Sequence, residues 1–385
     1  MPERYGAKGI RRGGGAPRNK KMFERRLYYY IDWALVGAVL ALCAIGVVMI
    51  DSTTADPTRG NSQLYITQLY GIAVGLGALV LTLSIDYRTL ADKSHIIYIA
   101  LLVVLVYVLY NGDVRMGAKR WIGFGAFNLQ PSEFAKIGLA LLLAKFFGEN
   151  RGAPSWVDLA VAASLTCLPL ALVAKEPDLG TAVILVPVLI AVGYLAGMPM
   201  RVFGALALCL LLAAPVAWQF GLKDYQKARI TSFLDPSQDA KDSGYQQIQA
   251  RITVGSGGLT GKGFKQGTQG QLRFLPVAHN DFIFSVLAEE QGFAGVLVAL
   301  GLYLFVILRS LEAARLAKDR LGSYLVIGLL ASFTFQVVYN VTMSAGLAPV
   351  KGLTLPLMSY GGSSMIATLA GFGLVINVRM RRFTN

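Results

Sequence analysis

Two residues of opposite charge interrupt an apolar stretch in the first half of the sequence. Glu133 and Lys136 lie within Gln130–Phe147 and are three positions apart, so on a helix they share a face and can pair. Charged side chains inside such stretches are costly and are often functional. Two interpretations stay open: an ion pair that braces a helix bundle, or a pair that lines a polar cavity, with Lys136 reaching a ligand's phosphate.

Asp281 is a second candidate for chemistry. It follows His279 and Asn280 at the start of another apolar stretch, Phe282–Leu308, which carries Glu289 and Glu290. Glu289 lies eight residues further on, about 12 Å deeper if the stretch is helical. An aspartate at the start of a helix is most often an N-cap. Taken alone, Asp281 is therefore expected to cap a helix, and a chemical role is the alternative.

The composition indicates the kind of scaffold that holds these residues. Of the 385 residues, 55% are hydrophobic and 15% are charged, against about 25% charged in soluble domains. The three cysteines lie in apolar runs and form no Cys/His cluster, which argues against a disulfide framework or a zinc site. The composition is typical of a polytopic membrane protein, although the net charge of +14 is large for so apolar a chain.

The apolar stretches predict an all-α fold with ten transmembrane helices. A span needs about 20 apolar residues, and two of these stretches reach that length only by including charges. The predicted spans are Trp33–Ile50, Tyr65–Ile85, Ile96–Tyr110, Gln130–Phe147, Leu159–Ala174, Leu179–Met200, Val202–Leu222, Phe282–Leu308, Leu321–Met343 and Met358–Val378.

Basic residues predict the orientation. The segment 1–32 holds nine Lys/Arg and is expected to be a cytoplasmic tail, followed by a single membrane domain over 33–385. An even number of spans then places both termini in the cytoplasm and a long loop, 221–281, outside between helices 7 and 8. With this orientation 21 of the 36 Lys/Arg are inside and 14 are outside.

The outer total is unusually high. Short outer loops carry Arg115, Lys119, Arg120, Lys175 and Lys351, and the long loop has more basic than acidic residues. Each residue alone could be ordinary loop surface. Together they suggest a polyanionic ligand on the outer face, such as a lipid-linked pyrophosphate.

The long loop contains a glycine-rich stretch, Gly255–Gln271. It is not a Walker A motif, because Gly261-Lys262 is followed by Gly263 and lacks the required upstream glycine. Two interpretations remain: a flexible turn-rich loop, or a surface where backbone N–H groups with Lys262 and Lys265 approach a phosphate.

Four segments together resemble one family. They are RWIGFGAFNLQPSEFAK (Arg120–Lys136), KEPDLGTA (Lys175–Ala182), GSGGLTGKG with GTQGQLRFLPVAHNDFIFSVLAEEQGF (Gly255–Phe293), and PLMSYGGSS (Pro356–Ser364). These segments, in this order, resemble the SEDS family of bacterial shape, elongation, division and sporulation proteins, and within it the RodA rather than the FtsW branch. The resemblance covers nearly the whole chain after residue 30.

The resemblance implies a peptidoglycan glycosyltransferase that polymerises lipid II on the outer face of the bacterial cytoplasmic membrane during elongation. It places the family's essential acidic residue on Asp281, its Glu/Lys pair on Glu133 and Lys136, and its arginine on Arg120. In that reaction a sugar hydroxyl displaces a prenyl pyrophosphate, so one carboxylate base can suffice, and we expect Asp281 to be that base.

The remaining expectations concern binding. Arg120, Glu133, Lys136 and Lys175 are candidate substrate-binding residues, together with Lys262, Lys351 and Ser359. A divalent cation such as Mg²⁺ could help to balance the pyrophosphate, but no dedicated metal site is expected. The expected partners are a class B penicillin-binding protein and other elongation-complex membrane proteins, with no nucleic acid. The alternatives are a lipid II flippase or transporter and a non-catalytic scaffold.

Overall fold

The computed structural model describes residues 28–54, 63–115, 118–124, 127–149, 152–221, 224–235, 243–271, 274–275 and 278–383. The predicted cytoplasmic tail, 1–32, lies mostly outside these residues.

The described chain is mainly helical, in agreement with the predicted class. In chain order the helices are α1 (Trp33–Thr54), α2 (Gln63–Ser84), α3 (Tyr87–Asp92), α4 (Ser94–Asn111), α5 (Ser132–Glu149), α6 (Trp156–Lys175), α7 (Leu179–Leu195), α8 (Met200–Val216), α9 (Asp224–Leu234), α10 (Ser243–Ser256), α11 (Thr268–Gln271), α12 (Ile283–Arg315), α13 (Arg320–Ser344) and α14 (Gly362–Met380).

Among the described residues, seven helices are long and apolar enough to cross a membrane: α1, α2, α4, α6, α12, α13 and α14. The other three predicted spans correspond to α5, α7 and α8. Helix α5 carries Glu133, Lys136, Lys145 and Glu149, while α7 and α8 have 17 residues each. The protein is thus a helical membrane protein with at least seven candidate spans.

One segment of the described chain departs from the all-α prediction, because it forms strands. Strands β1 (Asp113–Arg115), β2 (Ala118–Phe124) and β3 (Phe127–Leu129) form a small antiparallel sheet in the order β1-β2-β3. Ile122 pairs with Leu129 and Asp113 with Trp121. The sheet connects α4 to α5, so it places Arg120 close to the start of the helix that carries Glu133.

Helix α14 lies at the centre of the bundle, and most of its side chains are buried. It packs closely on α2 through small residues: a Cβ atom built on Gly71 would lie 3.0 Å from the Cα of Gly362, and one on Gly373 would lie 2.7 Å from the Leu79 carbonyl oxygen. In a membrane, where lipid is as apolar as leucine, such close backbone approach is a main source of helix association.

Helix α12 is broken at Gly292, which has φ 64° and ψ −165°. The glycine-rich segment packs its backbone into this break: Lys262 N donates to Glu289 O at 3.0 Å, and Phe293 N donates to Gly258 O at 2.9 Å. A Cβ on Gly257 would lie 1.9 Å from the Ala288 carbonyl oxygen. Gly257 and Gly261 therefore lie in close contact with the backbone of α12, so this part of the segment is packed against a helix. The interpretation of Lys262 and Lys265 as a surface for a phosphate stays a prediction.

Candidate active site

A cavity of about 330 Å³ lies beside Asp281. We call it the Asp281 cavity. It is bounded by the start of α2, by β2 and β3, by the start of α5, by the turn between α6 and α7, and by the segments around 280 and 352–364. Its lining residues are Thr67, Arg120, Trp121, Asn128, Gln130, Glu133, Asp178, Thr181, His279, Asn280, Asp281, Gly352, Leu353, Thr354, Tyr360, Gly361, Gly362, Ser363 and Ser364.

The turn that carries Asp281 is held by its backbone carbonyls. The carbonyl of His279 accepts from Tyr360 N at 3.0 Å, that of Asn280 from Ser359 Oγ at 2.6 Å, and that of Asp281 from Asn340 Nδ2 at 2.8 Å. These bonds fix the main chain and leave the carboxylate available. Within the described chain, Asp281 Oδ1 has no hydrogen-bond partner.

Asp281 is not the cap of the helix that follows. The N-cap position of α12 is Phe282, and no side chain makes a capping hydrogen bond there. The interpretation of Asp281 as a simple helix cap is therefore wrong, because its side chain faces the cavity instead.

The environment of Asp281 suits a base that works near neutral pH. Its pKa is raised to about 6, mainly by burial and also by the charge of Asp178, while Arg229 and Arg120 act in the opposite direction. A general base is most effective when its pKa lies close to the working pH. Burial also lowers the pKa of the neighbouring His279, so this imidazole is neutral at pH 7.

Arg120 reaches the cavity from β2 and is fixed by the turn between α6 and α7. Its Nε donates to the Glu176 carbonyl at 2.9 Å and its Nη2 to the Pro177 carbonyl at 2.5 Å. Its Nη1 lies 3.9 Å from Asp178 Oδ2. The guanidinium is thus held in one orientation with its charge only partly balanced, as a site for an anionic group requires.

The Glu133–Lys136 ion pair is formed, and its two side chains line different cavities. Lys136 Nζ lies 2.9 Å from Glu133 Oε2 and 3.1 Å from Gln336 Oε1. Glu133 lines the Asp281 cavity, whereas Lys136 lines a separate, smaller cavity inside the bundle. The ion pair predicted from the sequence is present, but the ammonium does not line the cavity that holds Asp281.

The other predicted binding residues are not on the cavity wall. Lys175 is exposed at the end of α6. Lys262 Nζ pairs with Glu289 Oε1 at 2.6 Å, in the contact between the glycine-rich segment and α12. Lys351 is half-buried, with its Nζ 6.0 Å from the centre of the Tyr339 ring. Ser359 is buried, and its hydroxyl joins Asn280 O to Leu355 N.

Several residues of the site were not predicted from the sequence, although their types and positions indicate a role. Asn340 and Gln336 are amides inside an otherwise apolar span, which is itself a signal of function or tight packing. Asp178 accepts from Thr181 N at 3.1 Å and from Gln130 Nε2 at 2.9 Å, so it connects α7 to the strand–helix junction. Glu176 is buried, and burial raises its pKa to about 8, so it is largely neutral at pH 7.

The described residues offer few ligands for a metal ion. They contain no group of three or more His, Cys, Asp or Glu side chains placed to hold a metal ion. Asp281 offers one buried carboxylate oxygen without a partner. This arrangement fits a divalent cation only if most of its ligands come from a bound phosphate and water.

A family model described as a cell cycle protein (FtsW/RodA/SpoVE) matches residues 33–383. The chain belongs to this family. The resemblance seen in the four sequence segments is therefore confirmed, and it extends through every described helix from α1 to α14.

Members of the family with known activity or structure are similar over nearly the full length. Peptidoglycan glycosyltransferase MrdB of Escherichia coli (strain K12) is 38% identical over 364 residues, which cover 94% of this chain and 97% of the relative. A chain of a peptidoglycan synthase complex, studied for how it coordinates polymerization and crosslinking, has a TM-score of 0.79 and 36% identity and covers 92% and 99% of the two chains. The crystal structure of the Thermus thermophilus rod shape determining protein RodA has a TM-score of 0.69 and 33% identity, with coverage of 92% and 98%.

Proposed function

We propose that this protein is an elongation peptidoglycan glycosyltransferase that polymerises lipid II with Asp281 as its general base. The transferase activity in elongation rests on the family and on relatives that are themselves peptidoglycan glycosyltransferases. The observation that carries the assignment of the base is the partner-free Asp281 carboxylate oxygen, in a cavity that also receives Arg120.

The proposed reaction joins two sugar chains. A hydroxyl of the acceptor sugar attacks the anomeric carbon of the donor while Asp281 takes its proton. The new C–O bond forms as the bond from the anomeric carbon to the prenyl pyrophosphate breaks, and the pyrophosphate leaves with the electron pair. Because pyrophosphate is a stable anion, the donor side needs positive charge more than a proton donor.

Arg120 is the residue best placed to supply that charge, since backbone carbonyls fix its guanidinium at the cavity. Glu133 occupies the same wall with its charge balanced by Lys136. A divalent cation such as Mg²⁺ would bind at Asp281 together with phosphate oxygens of the substrate, and when bound it supplies further charge neutralisation. Lys175 and Lys351 remain candidates for the approach of the anionic headgroup.

We further propose ten membrane spans, with α5, α7 and α8 added to the seven long apolar helices. Helix α5 packs against α4, α7 and α13, and α7 packs against α6 and α13, so both lie among helices that are themselves candidate spans. A helix of 17 residues is about 26 Å long, close to the thickness of the hydrocarbon core. Both termini then lie in the cytoplasm, the outer loop is 221–281, and residues 33–385 form one membrane domain of the bacterial inner membrane.

The proposed partner is a class B penicillin-binding protein. The similarity to a chain of a peptidoglycan synthase complex supports an arrangement in which a second protein crosslinks the strands that this one makes. Other membrane proteins of the elongation complex would join the same assembly.

The assignment is tested with the purified complex of this protein and its penicillin-binding partner. Asp281→Asn is expected to abolish lipid II polymerisation while the complex still forms and melts at a normal temperature. Normal glycan strands from this variant would disprove the role of Asp281 as base. If the wild-type complex instead moves lipid II across liposomes and makes no polymer, the transferase function itself is wrong.

A further inference from the structure

A second cavity, of about 30 Å³, lies in the middle of the bundle between α5, α12, α13 and α14. We call it the Lys136 cavity. One water molecule needs roughly 10–15 Å³ of such space. Most of its wall is apolar, and its polar lining residues are Lys136, Ser310, Ser332, Gln336 and Thr368.

Two of these polar groups have no partner in the described chain. Gln336 Nε2 and Thr368 Oγ1 are both without a hydrogen bond, although Gln336 is 1% exposed and Thr368 is 7% exposed. The orientation of the Gln336 amide is determined by Lys136, which can only donate and therefore requires the amide oxygen. The amide nitrogen is thus left as a buried donor, which is costly without an acceptor.

The two serines of the same cavity behave differently. Ser332 Oγ donates to Leu329 O at 2.7 Å, and Ser310 Oγ donates to Val306 O at 2.7 Å. Such bonds to the preceding turn are usual for hydroxyls in helices. Thr368 Oγ1 makes no such bond, so its hydroxyl is available to a ligand in the cavity.

We propose that the Lys136 cavity binds a water molecule that joins Lys136, Gln336 and Thr368. Lys136 Nζ has three N–H groups, of which Glu133 and Gln336 use two. The water would accept from the third and from Gln336 Nε2, and would donate to Thr368 Oγ1. These three hydrogen bonds are the usual number for a buried water. A cation is a poor occupant beside the ammonium, and an anion would compete with the carboxylate that already pairs with it.

The bound water gives Gln336 and Thr368 a positioning role. With three fixed partners, the Lys136 ammonium cannot rotate away, and Glu133 keeps one orientation on the wall of the Asp281 cavity. This consequence rests on the proposed function, whereas the presence of the water does not.

The direct test is an experimental structure of the full chain at a resolution that shows ordered water. We expect density within hydrogen-bond distance of Lys136 Nζ, Gln336 Nε2 and Thr368 Oγ1, and its loss in Thr368→Val. A dry cavity in the wild-type protein would overturn the proposal, whether or not the protein polymerises lipid II.

The positioning role is tested by polymerisation kinetics of the complex with its partner. Thr368→Val is expected to lower kcat about three- to tenfold with KM unchanged, as the loss of one hydrogen bond implies. Thr368→Ser, which keeps the hydroxyl, should restore the rate. Thr342→Val, outside the cavity, is the control with no expected effect, because the Thr342 hydroxyl bonds only to its own helix. Equal kcat values for Thr368→Val and Thr342→Val would overturn the positioning role.

Discussion

Asn340 donates a 2.8 Å hydrogen bond from its side-chain amide to the backbone carbonyl of Asp281. The same nitrogen donates to the Leu353 carbonyl at 2.6 Å. One fully buried amide on α13 therefore connects the turn that carries the proposed base to another segment of the cavity wall.

Replacing this amide should displace the proposed base while leaving Arg120, the proposed binding charge, in place. Asn340→Leu is expected to lower kcat of lipid II polymerisation by about 100-fold, since small misplacements of a catalytic group have effects of this size. KM should change little. Thr342→Val on the same helix is the control, because the Thr342 hydroxyl bonds only to its own helix at Val338 and Tyr339. Equal losses in both variants would show a general effect on α13.

The pH dependence of the rate should follow the ionisation of Asp281. The carboxylate must be deprotonated to accept a proton, and burial raises its pKa to about 6. The rate is therefore expected to be constant above pH 7 and to fall about tenfold per pH unit well below pH 6. Arg120→Gln removes a positive charge that lowers this pKa, so the fall should move to higher pH. A fall that stays at the same pH would contradict the electrostatic contact.

The raised pKa of Asp281 also predicts how this residue affects the stability of the fold. Since the pKa in the folded protein lies above the usual value of 3.8, the fold favours the protonated form. The stabilisation from the protonated carboxyl is fully present below pH 3.8 and is lost as the pH rises through about 6. Between pH 4 and 7 the melting temperature of Asp281→Asn should therefore decline less than that of the wild-type protein. A parallel decline in the two proteins would contradict the raised pKa.

Lys262 should act on stability more than on substrate binding. Its ammonium lies 2.6 Å from Glu289 Oε1, and the Glu289 side chain is fully buried. Lys262→Met leaves that carboxylate without its cation, which should cost about 2 kcal/mol of unfolding free energy. Lys262→Met combined with Glu289→Gln should recover part of the loss. Lys175→Met, at an exposed lysine, is the control.

An unchanged melting temperature of Lys262→Met together with a raised KM for lipid II would contradict the stabilising role of Lys262. That result would support the substrate-binding role first predicted for Lys262.

The contact between the glycine-rich segment and α12 predicts opposite effects of two similar substitutions. Gly257→Ala would place a Cβ 1.9 Å from the Ala288 carbonyl oxygen and should destabilise the protein by about 1–3 kcal/mol. Gly255→Ala has no atom within 4 Å of the new Cβ and lies in α10, where alanine is favoured. Its melting temperature should stay equal or rise. Equal destabilisation by both would show that the segment does not pack as described.

The parts of the fold that follow from local pattern could be predicted. Long apolar stretches predicted α1, α2, α4, α13 and α14 because their hydropathy alone determines that they are helices in lipid. The Glu133–Lys136 pair was predicted for a similar reason, since two charges three residues apart on a helix in an apolar environment have no better partner than each other.

The parts that depend on distant contacts could not be predicted. The small β-sheet over 113–129 looked like an ordinary polar loop, because its strands are only three to seven residues long. The glycines of 255–263 suggested flexibility, whereas two of them, Gly257 and Gly261, lack a side chain where the backbone of α12 comes close, next to the break at Gly292. Gln336 and Asn340 had no visible partners in the sequence, because Lys136 lies on α5 and the carbonyls of Asp281 and Leu353 lie in segments between helices.

The packing of α2 on α14 has a consequence for how the protein is made. Helix α2 is synthesised long before α14, so its glycine face stays uncovered by this partner until α14 follows. Asp32, just before α1, likewise meets Arg379 at 2.8 Å only after α14 has been made. The bundle therefore closes only when α14 is in place, and a chain truncated before α14 would expose the centre of the bundle to lipid.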